Sequence, residues 1–211
     1  RYSFGDLNRA ANRCANLMLQ MGIKKGDNAI VILPRIPAWY EVLIACIKLG
    51  VVAIPGTTLL TAKDLNYRIE RSAAKVVIVT EEHCIKIEEI EDAIPTVEKR
   101  IVIGASRAGW INYEEGCLKA SDQLSRTSIT PTNANENMLI YFTSGTTAYP
   151  KMVPRNHAYA AAHQITATYW MDLKESDVHW TLSDTGWAKA AWGMLFCPWL
   201  MGATMVLYDA S

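Results

Sequence analysis

Residues 143 to 151 read Thr-Ser-Gly-Thr-Thr-Ala-Tyr-Pro-Lys and directly follow the apolar run Met138 to Phe142. Hydroxyls, one glycine and one lysine gathered on a turn after a strand suit a phosphate chain. Hydroxyl and backbone N–H groups donate to its oxygens, Gly145 permits close approach, and Lys151 neutralises charge. An ordinary Ser/Thr-rich turn has similar composition, so it is the order of the residues that favours the phosphate reading. The spacing of Gly145 and Lys151 fits the phosphate loop of the common nucleotide hydrolases, but Pro150 stands where that loop has glycine, and Met152 offers no hydroxyl to a metal. A different phosphate loop is implied.

A second constellation is Ser183-Asp184-Thr185-Gly186-Trp187, followed by Ala188 and Lys189. An indole wall supplies apolar area at low entropy cost, which suits a small-molecule pocket. Trp192 and Trp199 lie on an apolar helical stretch and are expected to fill a core face. Lys189 is awkward in an apolar pocket and is expected to reach outward or to meet an anionic group. His157 is expected to cap or pack the start of a helix, and His83, His163 and His179 lack metal-ligand spacing with cysteines or carboxylates. Glu88, Glu89, Glu91 and Asp92 read as the solvated face of a helix. No metal-ligating residue is assigned.

These residues need a scaffold, and its period is legible. Ser3 precedes a helix with Leu7, Cys14, Met18 and Met21 on its apolar positions and Gly22 at its end; Ala29 to Leu33 reads as a buried strand closed by Pro34. Alternation continues with a helix from Pro37 to Leu49 closed by Gly50, a strand Val51 to Ile54, a helix Thr61 to Ala73, a strand Lys75 to Thr80, a charged helix Glu81 to Ile94, and a strand Arg100 to Ile103. The pattern predicts an α/β layer with a largely parallel sheet. Between Gly104 and Glu136 the signal weakens to one helical patch, Tyr113 to Ala120, so residues 1–120 are expected as a first α/β subdomain, 121–135 as a connection and 136–211 as a second subdomain carrying the phosphate loop. There a helix from Asn156 to Trp170, a strand Val178 to Leu182, a helix Lys189 to Leu200 and a strand Thr204 to Tyr208 are expected.

Half of the 211 residues are hydrophobic, enough for a substantial core. Lysine plus arginine and aspartate plus glutamate both number 21, so no global field favours nucleic acid or an anionic membrane, and an anion site must be local. Five scattered cysteines suit reduced thiols. Without an apolar run of ~18 residues or a leader sequence, no stable membrane insertion and a cytoplasmic location are expected, or the mitochondrial matrix if the chain comes from an animal. Arg1 and Ser211 both read as cut ends.

The loop resembles the signature Thr-Ser-Gly-Ser/Thr-Thr-Gly-x-Pro-Lys of the adenylate-forming superfamily, departing only at Ala148, where that family usually has glycine. Leu49-Gly50-Val51-Val52-Ala53-Ile54-Pro55 and Tyr2-Ser3-Phe4-Gly5-Asp6-Leu7 are similar to further family segments, and Ser183 to Trp187 is similar to the corresponding segment of medium-chain acyl-CoA synthetases. The resemblance implies part of the large N-terminal domain of an AMP-forming acid–thiol ligase. ATP phosphates with Mg²⁺ would lie against Thr143, Ser144, Gly145, Thr146, Thr147 and Lys151, with Lys151 catalytic. A short- or medium-chain carboxylic acid would lie near Trp187 and Ala188, and coenzyme A would be the second substrate. Family members are longer and carry an adenine-binding motif, a ribose-binding aspartate and a catalytic lysine that would come after Ser211, so the 211-residue piece alone is expected not to form acyl-CoA. An aryl- or amino-acid-activating adenylation domain and a catalytically silent nucleotide-binding domain are the alternatives.

Overall fold

The computed structural model describes residues 1–143 and 149–208. Helix α1 (Phe4–Gln20) opens on a capping box in which Ser3 and Asp6 satisfy each other's backbone N–H groups. Strand β1 (Asn28–Ile32) leads to α2 (Pro37–Leu49), which has proline in its first turn and ends on Gly50 at φ 69. Next come β2 (Val52–Pro55), α3 (Ala62–Ser72, with a second capping box from Thr61 and Asp64) and β3 (Val76–Thr80). Then follow α4 (Cys84–Glu88), β4 (Lys99–Ile103), β5 (Ile111–Asn112) and α5 (Tyr113–Lys119).

Beyond 121–135, β6 (Asn137–Thr143) and β7 (Lys151–Asn156) join the same sheet, whose order is β5-β4-β3-β1-β2-β6-β7. All pairings are parallel except β6 with β7. The connection thus links consecutive strands of one sheet. Apart from a 3₁₀ turn at Arg126–Ser128 it is irregular, and side chains of α1 and of the turn after it satisfy its carbonyls: Asn12 donates to Asp122 O at 2.8 Å, Asn16 to Ser121 O at 2.7 Å, and Lys25 to Pro131 O at 2.7 Å.

Alternating residues of the central strands divide the core into two layers. Ala29, Val31 and Leu33 face α1 and α2, while Ile30 and Ile32 face α3 and α4. After β7 come α6 (Ala158–Tyr169), β8 (Val178–His179), α7 (Ala188–Ala190), a π-helical stretch Ala191–Phe196, α8 (Cys197–Leu200) and β9 (Thr204–Met205), which pairs with β8 in a small parallel sheet. No helix among the described residues is long and apolar enough to cross a membrane.

Three sequence expectations are corrected. Glu81 to Ile94 is not one helix: 3₁₀ turns at Glu81–His83 and Glu91–Ala93 flank α4. Arg107 and Trp110 engage Glu88 and Arg100 pairs with Glu91 at 2.7 Å, while Glu89, Glu91 and Asp92 are exposed, in keeping with the expected solvated face. The helix expected from Asn156 begins at Ala158 because 151–156 form β7, where Pro154 is tolerated at the sheet's edge. The stretch 188–200 widens to a π-helix before Pro198, which has no N–H to continue the α-helical ladder.

Glu136 closes the connection onto the turn after α1. Its carboxylate accepts from Lys25 at 2.8 Å and from Asn133 N–H at 3.0 Å, and these donors, Lys25 foremost, hold its pKa down to about 2. A depressed carboxylate stabilises the fold fully above the ordinary value of 4.5, and that contribution is lost as pH falls through about 2. Glu136→Gln should therefore unfold at lower denaturant than wild type at pH 7, with the gap closing as pH falls from 4.5 to about 2; a gap independent of pH would overturn the assignment.

Candidate active site

Ligands of open parallel sheets bind beyond the carboxyl ends of the strands, near the point where the winding direction reverses. Here β1 is followed by β2 on one side and β3 on the other, so that point lies at the end of β1. Register Ala53↔Leu139 sets the neighbouring ends of β2 and β6 side by side, with Thr57 just past one and Thr143 closing the other.

Thr143 and Lys151 are opposite one another across the antiparallel β6–β7 pair, and both are exposed. The two ends of the phosphate-loop motif are thereby fixed on adjacent strands. Ser144, Gly145, Thr146 and Thr147, together with Ala148, lie outside the described residues. Helix α3 supports both flanks. Tyr67 stacks on Tyr149 with ring centroids 5.1 Å apart, donates its hydroxyl to Pro150 O at 3.0 Å, and meets Phe142 edge-on at 6.1 Å, while the Arg68 guanidinium sits 5.2 Å above the Phe142 ring.

Trp187 reaches the same end of the sheet along another route. Thr185, buried, donates its hydroxyl to Leu33 O at 2.5 Å at the end of β1. Asp184 accepts from Thr57 Oγ1 and from Gly186 N, both at 2.8 Å, and Arg35 donates to Ser183 O at 3.3 Å. A Cβ on Gly186 would lie 2.0 Å from Thr57 N, so the two backbones touch. The Trp187 side opens outward, the residue being 66% exposed, and Ala188 packs against the core.

Behind Trp187, helix 188–200 is held to α6 through His163, whose ring lies edge-on to Tyr159 at 4.4 Å and parallel to Trp192 and Phe196. Burial pushes the His163 imidazole below its ordinary pKa, as it does for His157, and neither His163 ring nitrogen has a hydrogen-bond partner in the structure. His163 is a packing residue. His157 makes no side-chain cap to α6; its backbone N–H donates to Glu136 O instead. Trp199 packs on Phe4 and Tyr40, in keeping with its expected core role. A cleft of about 950 Å³ opens between the starts of α1 and α2, beside Trp199; among the described residues its lining includes neither loop flank, Thr143 or Lys151, and none of the Asp184–Trp187 turn. The sequence reading missed Thr57 and Tyr67, neither of which sits in a local motif.

The arrangement gathers an exposed ammonium, hydroxyl donors and an indole at the carboxyl ends of β1, β2 and β6. Groups of these kinds suit an anionic ligand beside an apolar one.

The AMP-binding enzyme family matches residues 1–211. Human mitochondrial acyl-coenzyme A synthetase ACSM4 is 39% identical over 211 residues, which cover 99% of this chain and 36% of that protein. Human mitochondrial acyl-coenzyme A synthetase ACSM3 is 39% identical over 206 residues, covering 96% and 35%. Anthranilate CoA ligase AuaEII in complex with anthranoyl-AMP has a TM-score of 0.92 and 25% identity, covering 98% of this chain and 40% of its own. Brucella canis acyl-CoA synthetase shares the fold, with a TM-score of 0.89 at 23% identity, covering 99% and 38%. The chain thus spans little more than a third of the length of these proteins.

Proposed function

We propose, because the chain belongs to the AMP-binding enzyme family, that the intact protein activates a short- or medium-chain carboxylic acid to acyl-AMP and then to acyl-CoA. One arrangement supports this reading: the two flanks of the phosphate loop and the turn before Trp187 meet at one end of the parallel sheet. A reaction that brings a carboxylate onto the α-phosphorus of ATP needs its phosphate and acyl contacts side by side.

In this reading Thr143 and Lys151, with Ser144, Gly145, Thr146 and Thr147, bind the β- and γ-phosphates. The acid lies along Trp187 and Ala188 with its carboxylate toward the α-phosphorus. A carboxylate is already ionised at neutral pH, so no general base is required. Its oxygen forms the new bond to phosphorus, the bond to pyrophosphate breaks, and Lys151 stabilises the charge that builds on the leaving group. Mg²⁺ enters with ATP as part of that substrate; among the described residues no group of three or more His, Cys, Asp or Glu could hold a metal on its own. The thiol of coenzyme A then displaces AMP from the acyl carbon. The cytoplasm, or the mitochondrial matrix if the chain is from an animal, is the compartment we propose. The 211 residues alone, little more than a third of the length of the relatives, are expected not to complete the sequence of steps.

Pyrophosphate release by the intact protein, measured across fatty, aromatic and amino acids, tests the assignment. Turnover of short- and medium-chain fatty acids is expected, and turnover of amino acids alone would overturn it. Likeness to an anthranilate CoA ligase favours a second reading, activation of an aryl acid, for which aromatic acids would lead the panel.

A further inference from the structure

We propose that Thr57 is a positioning residue for the acid: acting through Asp184, it sets the orientation in which Trp187 and Ala188 are presented to the acyl chain. The inference rests on the reading above, in which those two residues border the acyl group.

One carboxylate joins two segments that are far apart in sequence. Its Oδ2 accepts from Thr57 Oγ1, in the loop after β2, and its Oδ1 accepts from Gly186 N, inside the turn that ends in Trp187. That turn is closed by Trp187 N–H donating to Asp184 O at 3.1 Å, and Trp187 O in turn accepts from Ala190 N at 2.9 Å as the helix begins. A rotation of the Asp184 side chain is thereby transmitted to Trp187. Thr185 separately ties the turn to Leu33, and the Gly186 backbone rests on Gly56 and Thr57. Both of these contacts survive loss of the Thr57 hydroxyl. The turn therefore stays docked in a Thr57→Val variant, while Asp184 loses the donor that fixes its rotation. Thr57 Oγ1 also accepts from Leu59 N at 3.3 Å, which shapes its own loop and does not touch the phosphate-loop flanks. The consequence falls on the acid and not on ATP.

The test uses the intact enzyme with butanoate, hexanoate, octanoate and decanoate, varying acid and ATP separately. Thr57→Val is expected to raise KM for the preferred acid by about 3- to 10-fold, the weight of one such hydrogen bond, and to narrow the preference among chain lengths. KM for ATP should stay within about 2-fold, since the phosphate contacts lie on β6 and β7. Thr57→Ser, which keeps the hydroxyl, should restore the parent values.

An unchanged acid KM in folded Thr57→Val overturns the proposal. So does an equal rise in both KM values, a loss confined to kcat, or failure of Thr57→Ser to restore the parent values. Should Thr57→Val not fold, Thr57→Ala is judged by the same criteria; should neither fold, the hydroxyl is a folding element and the proposal fails. A parent that adenylates none of these acids sinks the function reading itself, whereas an active parent whose acid KM ignores Thr57 sinks only this one.

Discussion

Replacing Lys151 by alanine in the intact protein should lower the rate of acyl-adenylate formation by about 10²- to 10³-fold, the usual weight of a positioned donor facing developing charge. The fold should barely register the change. Lys151 is exposed at the first position of β7, and among the described residues its ammonium takes part in no ion pair. Its removal therefore leaves no buried partner behind, and stability should move by no more than about 0.5 kcal/mol. Lys151→Arg should recover only part of the rate, because a planar guanidinium is not a compact point charge on a flexible stem. Pyrophosphate release at saturating acid and ATP, read beside a denaturation curve, makes the comparison. An unchanged rate would remove Lys151 from the mechanism.

The second large effect is expected at Gly186. Its backbone is not in the left-handed region, so the requirement is for space, not for conformational freedom. An added methyl would lie 2.0 Å from Thr57 N and 2.2 Å from Gly56 C, and both obstacles are main chain. A side chain can swing aside, but here the whole turn must lift off the end of β2. Gly186→Ala should cost about 1–3 kcal/mol of stability, as other overpacked sites do. It should also displace Trp187 on a scale of 1 Å, enough to lower kcat/KM for the acid by about 10²-fold. Gly193→Ala is the internal comparison. The atoms nearest its methyl would belong to the Thr181 side chain, at 3.0 Å and beyond, so it should be tolerated far better in both measurements. Equal effects at the two glycines would show that the close approach at Gly186 does not govern acid binding.

Elements whose ends are set by local chemistry were legible in the sequence. Pro37 and Gly50 bound α2 at the residues expected, Ser3 and Thr61 cap the helices they precede, and the apolar runs of β1, β2 and β3 lie within one residue of their expected limits. Elements decided by distant partners were not. The stretch Glu81 to Ile94 has helical composition, yet Arg100, Arg107 and Trp110 draw its carboxylates apart. Strand β7 contains Pro154, which argues against a strand until its place at the sheet's edge is known. The same division holds for the site. The order of residues 143–151 is what suggests the proposed phosphate loop, and Ser183 to Trp187 the proposed acyl contact, whereas the contacts of Thr57 and Tyr67 depend on which strand ends become neighbours. No local pattern around either residue encodes that.

The placement of β6 beside β2 has a consequence for synthesis. Strand β2 can pair with β1 soon after it leaves the ribosome, but its other edge waits for Asn137–Thr143, and the tie from Thr57 to Asp184 spans 127 residues. The wait for β6 runs from Pro55 to Thr143, and at about 5–20 residues per second it lasts roughly 4–18 s. Throughout it, an apolar strand of Val52, Ala53 and Ile54 presents unpaired N–H and C=O groups, the kind of edge on which chains add to one another. The neighbouring strand ends that form the site thus make the nascent chain a natural client for chaperones until β6 has been translated.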